Sequence, residues 1–167
     1  MPCALEPSTA VAYLSQLSAD VRAVAVLGRG GVLASALAAQ PHEDRAVSVQ
    51  LRLSALLAAM GRAEGVRIGF GDAKVFARRD DVHALVVVAS PLALDDLLWH
   101  DLGVILEDLN GASREHGSVQ TLGPGTARRD LPARTLDLAA AGDQKLGAAA
   151  RALADAIGRR NPDSPQR

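Results

Sequence analysis

His83-Ala84-Leu85-Val86-Val87-Val88-Ala89 is the stretch on which the fold turns. Val86–Val88 shows no polar alternation, so the segment is expected to be a central strand buried on both faces. Two further strand candidates precede it, Val66–Phe70 and Lys74–Arg78. Gly71-Asp72 separates the first pair and Arg79-Asp80-Asp81 the second, and both are turn sequences. Connections this short require antiparallel pairing, because a parallel crossover needs a dozen residues or more.

Downstream, Pro91 opens a helix expected to reach Asn110, with a seam of Leu94, Leu97, Leu98, Leu102, Ile105 and Leu109. Asn110-Gly111 is its stop. Near the start of the chain, Val21–Leu27 and Val32–Ala36 are short apolar runs joined by Gly28-Arg29-Gly30-Gly31. They are expected to form a hairpin. A helix from about Thr9 to Leu17, capped by Ser8 or Thr9, precedes them; Val11, Leu14 and Leu17 share one of its faces.

Residues 45–54 admit two readings. Val47, Val49, Leu51 and Leu53 alternate with polar residues as in a strand. On a helical wheel they form two apolar faces instead: Val47 with Leu51, and Val49 with Leu53, Leu56 and Met60. Pro41 and the acids Glu43 and Asp44 mark a helix start, and Gly61 or Gly65 a stop, which favours one helix over Glu43–Ala63. One face would cover the sheet, and the other would need a partner. A second copy is expected to meet Val49, Leu53, Leu56 and Met60, with Ile68 on a pairing strand. The alternative is that a C-terminal helix folds back on this face.

That helix is expected at residues 135–160, with Leu146, Ala150, Leu153 and Ile157 on one stripe. Residues 111–134, rich in Gly, Ser, Thr, Pro and Arg, suggest a linker, and residues 161–167 a disordered tail. Residues 1–110 then hold one α+β domain: a five-stranded antiparallel sheet with packed helices, in the order α-β-β-α-β-β-β-α.

Composition narrows the function. The 167 residues are 49% hydrophobic and 22% charged, as in a globular protein. A net charge of −1 gives no electrostatic case for nucleic acid or an acidic membrane. The only cysteine, Cys3, fits a reducing cytoplasm, and no run approaches the roughly 20 apolar residues of a membrane span.

No catalytic, cofactor or metal site is expected. Gly28–Gly31 leads into a strand, whereas a phosphate loop opens onto a helix. Asp96 and His100 lie four apart on one helix, as metal ligands can, but His42, His83 and His116 add no ligand motif. Arg78-Arg79-Asp80-Asp81 is a charged turn, with Arg78 and Arg79 as candidates for docking a partner. Trp99 either completes the core or anchors an interface.

The element order resembles the roadblock/dynein light chain family. So do the residues Val21-Arg22-Ala23-Val24-Ala25-Val26-Leu27-Gly28-Arg29-Gly30-Gly31-Val32-Leu33-Ala34-Ser35 and Ala84-Leu85-Val86-Val87-Val88-Ala89-Ser90-Pro91. The resemblance spans about Thr9–Asn110. It implies a non-enzymatic homodimer whose sheets join edge to edge while the central helices pair. It also implies a scaffold or regulator of a small Ras-like GTPase. A profilin- or PAS-like sensor holding a small ligand between helix and sheet is the alternative, and it predicts a sizeable apolar pocket.

Overall fold

The computed structural model describes residues 5–37, 43–111 and 141–158. Its elements are α1 (Pro7–Leu17), β1 (Val21–Gly28), β2 (Gly31–Leu37), α2 (Glu43–Met60), β3 (Gly65–Gly69), β4 (Lys74–Arg79), β5 (His83–Ala89), α3 (Asp95–Leu109) and α4 (Ala141–Gly158). The expected linker over 111–134 and the tail over 161–167 fall outside the described residues, apart from Gly111.

The five strands form one antiparallel sheet in the order β2-β1-β5-β4-β3. β5 is the middle strand, as its unbroken apolar run requires. Leu85, Val87 and Ala89 point to one face, and Ala84, Val86 and Val88 to the other. The β1–β2 hairpin turns at Gly31, whose φ of 125° a side chain would resist. A bulge after Val26 lets Leu33 drop out of register.

On one face α1 and α3 bury Ala10, Val11, Leu14, Leu98, Leu102, Ile105, Leu106 and Leu109 against Val24, Val26, Phe76, Leu85 and Val87. On the other, α2 and α4 bury Leu53, Leu56, Met60, Leu146 and Leu153 against Ala23, Ala25, Val66, Ile68, Val75 and Val86. Each leucine buried this way contributes roughly 1.5–3 kcal/mol.

Residues 45–54 are helical. Val49, Leu53, Leu56 and Met60 recur every three or four residues and all turn inward, so the strand-like alternation arises because Val47 and Leu51 point outward. The helix stops at Gly61, where φ is 58°.

Two helix starts differ from expectation. Glu6 is the N-cap of α1, with no side-chain cap from Ser8 or Thr9, and Pro7 opens the first turn. α3 begins at Asp95, four residues after Pro91. The Ser90 hydroxyl accepts the Leu92 N–H at 3.2 Å, and the Ala93 N–H bonds the Ser90 carbonyl at 3.2 Å. Residues 90–93 are thereby held in a turn, and Leu94 and Leu97 leave the seam assigned to them: they are 70% and 50% exposed.

Candidate interaction surfaces

Three surfaces bear on function. The first is α2. Val49, Leu53, Leu56, Met60 and Ile68, expected at the face met by a second copy, are all buried inside the chain's own core. The sheet covers them from below and α4 from the side, so a copy could reach them only by displacing one or the other. Among the α2 residues from Val47 onward, Val47, Gln50, Leu51, Ser54, Ala55 and Ala58 are left to solvent, with Val47 60% and Leu51 67% exposed. None of these six is charged. The Val47/Leu51 spacing was legible in the sequence; which face the sheet would take was not.

The second surface is the start of α3. Leu92, Leu94 and Leu97 are exposed, the first by 80%. Two ion pairs frame them: Lys74 Nζ meets Asp95 Oδ1 at 2.5 Å and donates to the Ala93 carbonyl at 2.9 Å, and Arg67 meets Asp96 at 3.0 Å. These pairs fix the backbone on which the leucines stand. The sequence signal was Ser90-Pro91, which marks a turn rather than a helix already under way.

The third is the Trp99 cluster beside β3 and β4. Trp99 is half-buried between two guanidinium groups, Arg67 at 5.4 Å and Arg78 at 5.1 Å from the ring. Arg78 also donates to the Trp99 carbonyl at 3.2 Å. Gly65 and Gly103 make the space: a side chain on Gly65 would overlap the indole, and one on Gly103 would meet Arg78. Trp99 thus completes a core edge and keeps a polar rim. Arg79 turns to the other side and donates to the Gly61 carbonyl, which ties β4 to the end of α2. The two arginines therefore act in different places, and neither stands free in a turn.

The polar residues gather at the turns. In the β4–β5 turn, Asp80 accepts from the Val82 N–H at 2.7 Å, the His83 N–H at 2.8 Å and the Asn110 amide. Burial pushes its carboxyl up, but these donors outweigh burial and hold it below its ordinary value. His83 Nδ1 lies 3.0 Å from Asn110 Oδ1, which ties the turn to the end of α3. In the β3–β4 turn, the hydrogen bond from Arg151 holds the Asp72 carboxyl below its ordinary value despite slight desolvation. His100 is exposed on α3, and Asp96 pairs with Arg67 rather than with His100. Among the described residues, no three metal-ligating side chains converge. No helix among them is long and apolar enough to cross a membrane.

The space between α2, α4 and the sheet, lined by Ala23, Ala25, Ser35, Val49, Leu53, Val86, Val88 and Ile157, amounts to about 10 Å³. That is room for a single water, whereas a ligand pocket has hundreds of Å³.

No family model matches the sequence, and no curated protein does. Among solved structures, the chain is similar to a roadblock/LC7 domain from Streptomyces avermitilis, with 15% identity and a TM-score of 0.45 over 66% of this chain and 98% of that one. It is similar to MglC from Myxococcus xanthus, with 13% identity and a TM-score of 0.45 over 63% and 97%. A third is the gliding protein mglB from Thermus thermophilus, with 15% identity and a TM-score of 0.43 over 60% and 82%.

Proposed function

We propose that this chain is a non-catalytic protein–protein interaction module, a homodimeric scaffold or regulator of a small Ras-like GTPase. The observation that carries the reading is a pair of apolar surfaces left exposed among the described residues, where neighbouring large residues stand together. One is the outer face of α2 around Val47 and Leu51; the other is the Leu92, Leu94 and Leu97 group at the start of α3. Exposed apolar groups of this kind mark contacts with other proteins. The roadblock-like element order, and the resemblance carried by residues 21–35 and 84–91, support a second copy on the first surface and a GTPase on the second.

The α2 face suits a two-fold contact, because small residues at Ser54, Ala55 and Ala58 allow close approach of an identical helix. Sedimentation of the full chain at tens of micromolar is expected to give a dimer. Leu51→Arg is expected to give a folded monomer that loses only the stability supplied by the dimer contact, since Leu51 is 67% exposed on its own chain. Leu94→Arg should leave the dimer intact and abolish capture of the GTPase from the same organism. A wild-type chain that stays monomeric and captures no GTPase would overturn the reading.

A further inference from the structure

We infer that the leucine surface at the start of α3 takes a basic amphipathic segment of another protein, one that sets an apolar residue between lysine or arginine side chains. The inference rests on the docking role proposed above for this surface. α3 carries Asp95, Asp96, Asp101, Glu107 and Asp108 and no lysine or arginine. The first two lie between Leu94 and Leu97 in the chain. Their cations come from strands and are far less exposed: the Lys74 and Arg67 side chains are 22% and 20% accessible, whereas Asp95 is 46% and Asp96 fully so. An incoming surface therefore meets carboxylate oxygen around the leucines, with the positive charge set back from it. Both strand cations bond Oδ1, which leaves Oδ2 of each carboxylate to accept from a second cation. Two more carboxylates add to the field: Asp101, one turn beyond Leu97, and Asp20, which accepts the Ser90 hydroxyl at 2.6 Å.

That charge pattern selects the occupant. A second copy would bring the same face, and a two-fold contact here would set Asp95 and Asp96 against identical carboxylates. The leucines alone would suit a membrane surface, but the same carboxylates repel anionic lipid. A different protein with lysine or arginine on either side of an apolar residue satisfies both parts of the surface at once. The seat is also prepared in advance. Lys74 holds the Ala93 carbonyl and Asp95, and the Ser90 hydroxyl holds the turn that carries Leu92. Docking therefore loses little backbone freedom on this side of the contact.

The test titrates the full-length, isotope-labelled chain at low salt with two synthetic amphipathic helices of equal leucine spacing, one flanked by arginines and one by glutamates. A scrambled form of the arginine helix is the control. The arginine helix is expected to shift the backbone amides of residues 92–98 and to bind about tenfold more tightly than the glutamate helix. The preference should disappear at about 1 M salt and in Asp96→Lys, whose melting curve verifies the fold. Equal binding of the arginine and glutamate helices overturns the inference, and so does equal binding of the scrambled form, which would mean attraction by charge alone. If no helix binds at 92–98 while Leu94→Arg still abolishes capture of the GTPase, the basic segment is overturned and the docking reading stands. If the arginine helix binds there while capture ignores Leu94→Arg, the basic segment stands and the GTPase assignment of this surface falls.

Discussion

The two sides of the sheet are built from different materials. The α1/α3 side is packed with large residues, with Leu14, Phe76, Leu85 and Leu102 almost fully buried. The α2/α4 side includes Ala23, Ala25, Ala73, Ala77, Ala84, Ala150 and Ala154 among its core residues. Small residues let helices lie close to the sheet, but each removes less apolar surface from water. The outer helix of this second side, α4, is joined to the domain by 112–140 and locked by an exposed ion pair. The first side is the permanent core. The second is the side whose outer helix follows residues 112–140 in the chain, and the one on which α2 turns Val47 and Leu51 outward.

Two leucines, each fully buried, put this difference to its strongest test: Leu102 on α3 and Leu153 on α4. Leu102→Ala is expected to cost about 2–5 kcal/mol of unfolding free energy in urea, the range for a leucine truncated in a rigid core. Leu153→Ala is expected to cost less than half as much. If α4 opens as a unit of its own while the sheet stays folded, the loss cannot exceed the docking energy of α4. Hydrogen exchange should show the α4 amides quickened and those of β5 unchanged. Equal costs, with α4 and the sheet opening as one unit, would mean that both sides are equally permanent.

Most of this architecture was legible in the sequence because its signals are local. The apolar run at 84–89, the turns at Gly71-Asp72 and Asp80-Asp81, and the glycines at 28–31 gave the antiparallel order. The helix stripe at 146, 150 and 153 was equally plain. What the sequence left open was how the faces of α2 divide. Val47/Leu51 and Val49/Leu53 are equally apolar, and only the packing of α2 on the sheet and against α4 decides which pair is covered. The start of α3 was misplaced for a related reason. Leu94 satisfies a helical period although the chain is not yet helical there, Leu97 lies in the helix but faces outward, and the Ser90 hydroxyl bond in the preceding turn leaves no periodic trace. Trp99 was legible as a candidate anchor, but its arginine neighbours came from different strands and could not be paired with it in advance.

Within the permanent side, Gly65 and Gly103 show how closely the Trp99 edge is fitted. A methyl group on Gly65 overlaps the indole, which is wedged against β3 and cannot retreat without moving Arg67 and Arg78. Gly65→Ala is expected to cost about 1–3 kcal/mol, as overpacking does. A methyl on Gly103 meets only the guanidinium end of Arg78, which is free to swing. The gain in helix propensity, about 1 kcal/mol, offsets the loss of that contact. Gly103→Ala is therefore expected to leave stability within about 0.5 kcal/mol of wild type. Thermal unfolding of the two variants side by side reads the difference, and a costly Gly103→Ala would show that Arg78 is held as rigidly as the ring.

The finest comparison is between two aspartates that each tie a turn to a helix. Asp80 belongs to the permanent side, where backbone N–H groups and Asn110 hold its carboxyl below its ordinary value. A carboxylate held low in the folded state contributes stability above its unfolded-state value, and the contribution is lost as pH falls through the folded one. Asp80→Ala is accordingly expected to cost about 1 kcal/mol near neutral pH. The cost should vanish at acid pH, where the wild type has lost the same bonds. Asp72 is also held low, but by Arg151 across an exposed pair. At about 1 M salt the screening length falls to roughly 3 Å, so added salt should loosen α4 while leaving the Asp80 increment untouched, because short bonds from backbone N–H groups are screened little. Hydrogen exchange of α4, with and without salt, measures the first effect; urea titration of Asp80→Ala at both salt levels measures the second. An α4 indifferent to salt would shift its anchoring from Arg151 to the Leu146 and Leu153 contacts alone.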